Sequence, residues 1–368
     1  MEWNGPCFSR GLDFVKILSG LFHLARPLLH SLDAEQAHLA TIRGLSCLPN
    51  FNRPQIHDPQ FSQKLFGLDF PNPIGLAPGF DKNAEVPQAM LGFGFGFVEV
   101  GTVTPQPQTG NAKPRLFRLG EDKAVINRMG FNNEGHAAVL KRLTNRPVKG
   151  TIGINIGANK DSTDRIADYV RGIEIFSGIA NYIAINISSP NTPGLRGLQS
   201  PKELQQLLGR LNDARAKQKK QVPMLLKIAP DLGDEELRDI ARCCEGGSVD
   251  GVIVSNTTLS RPSLVSKCGT ETGGLSGRPL RSLSTRQLAK FYILTKGQIP
   301  LVGVGGVEDA ASAVDKIQAG ASLVQLYSAL VYQGPGLVAE ILNGMKMELG
   351  SSKISDIKGS KAEQLSQS

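Results

Sequence analysis

YIAINISSPN (182–191), MLLKIAPD (224–231) and GVIVSNTT (251–258) share one pattern. Each opens on a short apolar run, breaks into Ser, Asn, Pro or Asp, and is followed by a longer stretch with helical spacing. A run with no polar alternation is the mark of a strand buried on both faces. Working outward, the pattern recurs at Ile74 to Ala77, Phe97 to Val100, Ile152 to Ile156, Pro300 to Val304 and Ser322 to Leu326. With Tyr182 to Ile187, Met224 to Ile228 and Gly251 to Val254 this makes eight strands alternating with helices. That arrangement predicts an α/β fold, a (β/α)8 TIM barrel, with a doubly wound open sheet as competitor. The long spacings 101–151 and 255–299 predict insertions, and Leu116 to Leu119 with Ala124 to Asn127 reads as a small hairpin.

Composition bounds the function. The 368 residues are 40% hydrophobic and 20% charged, enough to bury a large core and unlike a disordered chain. A net charge of +8 suits an anionic ligand, a membrane surface or nucleic acid. Seven basic residues against one acid fall within 261–296, but with no aromatic interleaving, so the stretch reads as a solvated face with one anion contact. Five cysteines without a CxxC pair argue for a reducing compartment, and neither they nor the histidines have metal-ligand spacing, so no metal is expected.

In a barrel, the residues just past each strand face one shared site. Here they include Pro78, Gly79, Phe80, Asp81 and Lys82; Thr102; Asn155; Asn186, Ser189 and Asn191; Lys227; Ser255, Asn256 and Thr257; Gly305 and Gly306; Tyr327 and Ser328. The set is rich in amides and hydroxyls, with two lysines and few carboxylates. It lacks the machinery for ester or glycoside hydrolysis. Converging Asn side chains suit a planar ligand with alternating C=O and N–H groups, and the Gly305-Gly306 turn sits where such barrels hold a phosphate. A phosphate-bearing redox cofactor would supply the chemistry these side chains lack. Taken singly each residue has a plain structural reading, a turn, a cap or a surface charge; their joint placement carries the argument. The alternative of another class is a lyase or aldolase using Lys82 or Lys227 as a Schiff base.

The amino-terminal segment, taken as residues 1–50, reads as two apolar helices broken at Pro27, the second opened by Asp33 with Gln36 and running to about Gly44. It must dock on the main domain or lie in a bilayer interface. No apolar run is long enough for a span, and the start is a poor signal peptide. Residues 51–350 are assigned to the barrel and 351–368 to a disordered tail.

The strings GLAPGFDKN (75–83), AVINRMGFNNEG (124–135), GINIGANK (153–160), NISSPNTPGLRGLQ (186–199), LLKIAPD (225–231), VSNTT (254–258), GVGGV (303–307) and QLYSAL (325–330) resemble the quinone-dependent, membrane-associated class 2 dihydroorotate dehydrogenases. The resemblance covers about residues 33 to 345. It implies an FMN-containing barrel that oxidises (S)-dihydroorotate to orotate in pyrimidine biosynthesis and passes electrons to a quinone. It implies Ser189 as catalytic base, where the soluble class has cysteine. It implies a substrate site of Lys82, Asn127, Arg128, Met129, Gly130, Phe131, Asn186, Asn191, Asn256 and Thr257. For FMN it implies Pro78, Gly79, Phe80, Asp81, Lys82, Thr102, Asn155, Asn186, Lys227 and Ser255, with Gly277, Gly306, Tyr327 and Ser328 around the phosphate end. His38, Arg118 and Tyr327 would line the quinone tunnel at whose mouth the helical hairpin lies, and residues 190–199 would form a lid. The expected location is peripheral, on the cytoplasmic face of a bacterial inner membrane, or the mitochondrial inner membrane in a eukaryote.

Overall fold

A computed structural model describes residues 6–48, 58–145 and 148–368, and side chains from residue 15 onward within these ranges. The boundary expected at residue 50 falls outside the described residues. The strands are β1 (Gln63–Leu65), β2 (Leu68–Phe70), β3 (Ile74–Leu76), β4 (Phe97–Val103), β5 (Leu116–Leu119), β6 (Ala124–Asn127), β7 (Thr151–Ile156), β8 (Tyr182–Asn186), β9 (Met224–Ile228), β10 (Gly251–Val254), β11 (Gly274–Gly277), β12 (Leu301–Val304) and β13 (Ala321–Leu326). Eight of them close a parallel barrel in the order β3, β4, β7, β8, β9, β10, β12, β13, with β13 paired back to β3. The open sheet is thereby excluded. The expected runs are these eight strands to within a residue or so, except that β4 continues to Val103 by pairing with Ile156 across a bulge.

Two features shape the barrel interior. The β1–β2 hairpin puts Phe70, fully buried, edge-on against Phe97 at 5.3 Å between ring centroids, within an interior cluster that includes Tyr182, Ile253 and Leu323. Gly75 and Gly153 make room for the two largest rings: a Cβ on either would come within 2.2 Å of Phe97 or 2.1 Å of Tyr182. The expected β5–β6 hairpin is present, and β11 extends it to three antiparallel strands across the carboxyl end of the barrel.

Three sequence expectations need correction. Helix α1 (Pro6–Ser31) runs through Pro27 and ends four residues later, before Asp33 caps α2 (Ala34–Ser46). Proline costs a helix one hydrogen bond and some crowding, and tertiary anchors offset this here. Arg26 and His30 bond the Tyr332 and Val331 carbonyl groups at 3.0 Å, and Arg118 donates to the carbonyls of Leu29, His30 and Leu32. The tail 351–368 is ordered. Ile354 and Ala362 are buried, and the Gly359 and Lys361 amides donate to Ile317 and Gln318 carbonyls at 3.0 Å. Its few apolar residues are spaced to fall on one packed side, which a polar average conceals. Lastly, three of the seven basic residues of 261–296 are paired with acids from elsewhere: Arg278 with Glu308, Arg281 with Asp315 and Lys290 with Asp234, each at 2.6 Å. Those three cations are therefore not free to hold an anion.

Candidate active site

A cavity of about 1320 Å³, including its open mouth, lies at the carboxyl ends of the barrel strands under the three-stranded sheet. Pro78, Gly79, Lys82, Thr102, Asn127, Met129, Gly130, Phe131, Asn186, Ser189, Asn191, Lys227, Ser255, Asn256, Thr257, Gly277, Gly306, Tyr327 and Ser328 all line it. The carboxyl ends of seven of the eight barrel strands, or the loops after them, therefore converge on it, and β7 alone contributes no lining residue.

The amides form two hydrogen-bonded groups. Asn186 Nδ2 donates to Thr102 Oγ1 at 2.9 Å, and Thr102 donates to Asn155 Oδ1 at 2.5 Å. Asn256 Nδ2 donates to Asn186 Oδ1 and to Ser188 Oγ at 3.2 and 3.0 Å. On the sheet side, Asn191 Nδ2 donates to Asn127 Oδ1 at 3.1 Å. Bonding between amides fixes which end of each side chain faces the cavity. Asn155 is fully buried beneath the cavity and donates to Glu99 at 2.7 Å.

Glu99 is the functional residue that sequence reading missed. Lodged in β4 and fully buried, it accepts from Asn155, from the Tyr182 hydroxyl at 2.9 Å and from Gln325 Nε2 at 2.7 Å. A lone carboxylate in FVEVG is the signal: in a strand buried on both faces it must point at a polar partner. Burial lowers the Lys227 ammonium pKa, and the Glu99 charge opposes that shift. Lys82 is also pushed down by burial, to about 8, and donates to the Gly79 carbonyl at 2.9 Å.

Ser189 is buried, and its Oγ accepts from the Asn191 amide at 3.3 Å. Among the described residues no carboxylate or imidazole bonds it. Three residues on, the buried Thr192 hydroxyl has no hydrogen-bond partner, nor does Gln325 Oε1, whose residue lines the cavity. At the opposite end from the amides, Ser328 Oγ donates to Ser276 Oγ at 2.8 Å beside Gly277 and Gly306. Gly306, at φ +74°, lies so close to Arg281 that a Cβ would sit 2.5 Å from the Arg281 Cβ. Only glycine holds that backbone at the cavity edge.

Several named residues stand outside the cavity lining. The Asp81 carboxylate turns into its own loop and accepts from the Glu85 and Val86 amides at 2.8 Å. Arg128 reaches away to Glu271 at 2.7 Å and stacks over Phe117, so only its backbone belongs to the wall. Phe80 packs edge-on against both Tyr327 and His38, at 5.5 Å from each. His38 Nδ1 lies 3.5 Å from the Tyr327 hydroxyl, and burial first, then Lys82, holds its pKa near 3, so the ring is neutral. Arg118 ties down the end of α1, as described above. Phe80 and His38 thus connect α2 to the cavity through Tyr327, whereas Arg118 bonds the end of α1 and none of these three. No helix among the described residues is long and apolar enough to cross a membrane, and no group of His, Cys, Asp or Glu among them could hold a metal ion.

A closed parallel barrel with a cavity of amides and two lysines at its carboxyl end defines an enzyme of the (β/α)8 class. The comparisons specify which. The dihydroorotate dehydrogenase family profile matches residues 60–349. Curated relatives named "Dihydroorotate dehydrogenase (quinone)" include one from Bradyrhizobium sp. strain BTAi1, 53% identical over 92% of this chain and 95% of that protein, and one from Brucella melitensis biotype 1, 54% identical over the same shares. The solved structure of Eimeria tenella DHODH in complex with ferulenol superposes with a TM-score of 0.84 at 39% identity, covering 89% of this chain and 95% of that one. The ligand-free form from the same organism gives 0.84 at 40% identity, covering 89% and 99%. The chain belongs to the dihydroorotate dehydrogenase family and is an oxidoreductase. The Schiff-base alternative is not favoured.

Proposed function

We propose that this enzyme oxidises (S)-dihydroorotate to orotate in de novo pyrimidine biosynthesis and passes the two electrons to a quinone. The observation that carries the reading is the convergence of Asn127, Asn186, Asn191 and Asn256 with Ser189 on one cavity. Such a set matches a planar ring of alternating carbonyl and N–H groups. FMN suits the rest: a cavity long enough for a tricyclic ring and its phosphate chain, Lys227 and the unpartnered Gln325 oxygen at the ring, and the Gly277, Gly306 and Ser328 end for the phosphate. When bound, FMN would supply the hydride acceptor for dihydroorotate C6 and the electron relay to the quinone.

Ser189 takes the C5 proton, leaving the C5–C6 double bond. A serine hydroxyl is a poor base, and the Asn191 N–H aimed at its oxygen favours the negative charge that develops. The serine's own proton must leave, and the unpartnered Thr192 hydroxyl, through a water, is the nearest such group along the chain. Lys82 holds the substrate carboxylate. The Lys227 ammonium would favour negative charge on a reduced flavin held in the cavity.

On the other side, His38, Phe80 and Tyr327 form the quinone approach, with Arg118 at its outer end. Ile17, Leu21, Leu24 and Leu28 form one exposed stripe on α1, with Leu24 81% exposed, which suits insertion into a bilayer interface. The stripe supports peripheral membrane attachment, on the cytoplasmic face of a bacterial inner membrane or, in a eukaryote, at the mitochondrial inner membrane. The test is an anaerobic flavin spectrum: dihydroorotate bleaches the oxidised band and a short-tailed quinone restores it. Ser189→Ala keeps FMN but loses most turnover at neutral pH. A flavin that stays oxidised with dihydroorotate, or substrate trapped on lysine by borohydride, refutes the reading.

A further inference from the structure

Asn111 lies outside the cavity yet joins two of its walls. Its single Nδ2 group donates to the Asn191 carbonyl in the lid and to the Arg128 carbonyl in the Asn127–Phe131 wall, each at 3.1 Å. Its backbone amide also donates to the Met129 carbonyl at 3.0 Å, so Asn111 is fixed on the wall and reaches across to the lid. Asn191 and Arg128 are otherwise 63 positions apart in sequence, and among the described residues the only other bond between these stretches is Asn191 to Asn127.

Asn111 is itself held from the helical hairpin. Arg115 Nη1 donates to the Asn111 carbonyl at 2.8 Å and to the Thr109 carbonyl at 2.6 Å, which closes the loop that carries Asn111. The remaining donors of Arg115 form a fork to Glu35 of α2, at 3.0 and 2.7 Å. Both side chains are about 7% exposed, so solvent does not weaken the pair. The exposed Lys113, 3.4 Å from the same carboxylate, is a minor addition. An unbroken path of hydrogen bonds therefore runs from the hairpin to the lid backbone beside Ser189.

We propose that Asn111 is the clasp of the substrate lid and that α2 sets its grip through Glu35 and Arg115. Asn111 is a positioning residue: it touches no reacting atom and acts through Asn191. The inference rests on the cavity being the dihydroorotate site, and bleaching of the wild-type flavin by dihydroorotate settles that separately. Loss of two neutral hydrogen bonds corresponds to about a tenfold change in affinity. Asn111→Ala raises the KM for dihydroorotate and the Kd for orotate about tenfold and leaves the quinone KM unchanged. By hydrogen exchange it speeds exchange of the lid amides of Leu195 and Gly197, which bond within the lid. Glu35→Gln, although in the hairpin assigned to the quinone side, moves the dihydroorotate KM in the same direction by about threefold. In an N111A background it adds nothing. Glu35→Asp, which keeps the charge but withdraws it from the fork, replaces E35Q if that variant does not fold. A shift confined to the quinone KM, additive effects of E35Q and N111A, or unchanged lid exchange in N111A would each overturn the proposal.

Discussion

Glu99→Gln is the most demanding test of the barrel interior. The carboxylate has no solvent exposure and spends its two oxygens on three donors, Asn155, Tyr182 and Gln325, while its charge supports the Lys227 ammonium. Glutamine keeps one acceptor oxygen and turns an NH2 toward the remaining donors. If the oxygen stays with Tyr182 and Gln325, the NH2 meets Asn155 Nδ2. Asn155 must then flip, and the Thr102 hydroxyl loses its acceptor in turn. Leaving one polar group unsatisfied costs about 1–3 kcal/mol, and leaving the other member of a buried charge pair uncompensated raises the loss to about 3–5 kcal/mol. At roughly 2 °C per kcal/mol for a chain this long, Tm should fall by about 6–10 °C. Urea unfolding followed by far-UV circular dichroism measures the stability, and the ratio of flavin to protein absorbance measures cofactor retention. Both should fall. Adding Lys227→Met to E99Q should recover part of the stability, because it removes the uncompensated cation. An E99Q variant within 1 kcal/mol of wild type, with full flavin, would show that the three bonds and the charge are not coupled.

Orotate affinity should fall as pH rises through about 8. Burial lowers the Lys82 pKa, so the cation that holds the carboxylate is complete only below that value, and Lys82→Met should remove this limb from a pH titration of binding. His136 is buried edge-on to Phe176 at 5.0 Å, with both ring nitrogens unpartnered and its pKa lowered by burial to about 4. The unfolded chain binds a proton there below about pH 6.5 while the folded one does not, so stability should drop by about 1.4 kcal/mol per pH unit from there down to the folded pKa. His136→Phe should flatten that slope in urea titrations at pH 5 and 7. Removing residues 351–368 exposes the contacts of Ile354 and Ala362 and should cost about 2–4 kcal/mol in the same assay; no loss would mean the tail docks without stabilising.

The barrel was legible because its strands are buried on both faces, so Ile, Val and Leu run together without alternation. The catalytic loops were legible because each follows such a run. What escaped were elements whose local sequence carries no pattern. β1 and β2 have three residues each, and β11 is GLSG, which reads as a turn until β6 supplies a partner. Asp81 and Arg128 sit within the motifs but spend their side chains elsewhere, since a short string cannot tell a backbone contribution from a side-chain one. Asn111 and Arg115 lie in a loop whose meaning depends on Glu35, 80 positions from Arg115.

The distribution of charge around the cavity accounts for one site serving two unlike ligands. His38 and Lys82 are close enough that each cation would disfavour the other, and burial removes the water that would screen them. One of the two must be neutral, and a buried imidazole gives up its proton far more readily than a lysine. The proton therefore stays on Lys82, facing the Asn-lined wall where an anion is wanted. His38 stays neutral among Phe80 and Tyr327, on the side proposed for the uncharged quinone. Raising the charge on the His38 side, as in His38→Lys, should weaken quinone reduction and also lower orotate affinity by pushing the Lys82 proton off. A His38→Lys variant that slows quinone turnover with orotate binding untouched would show that the two groups do not sense each other.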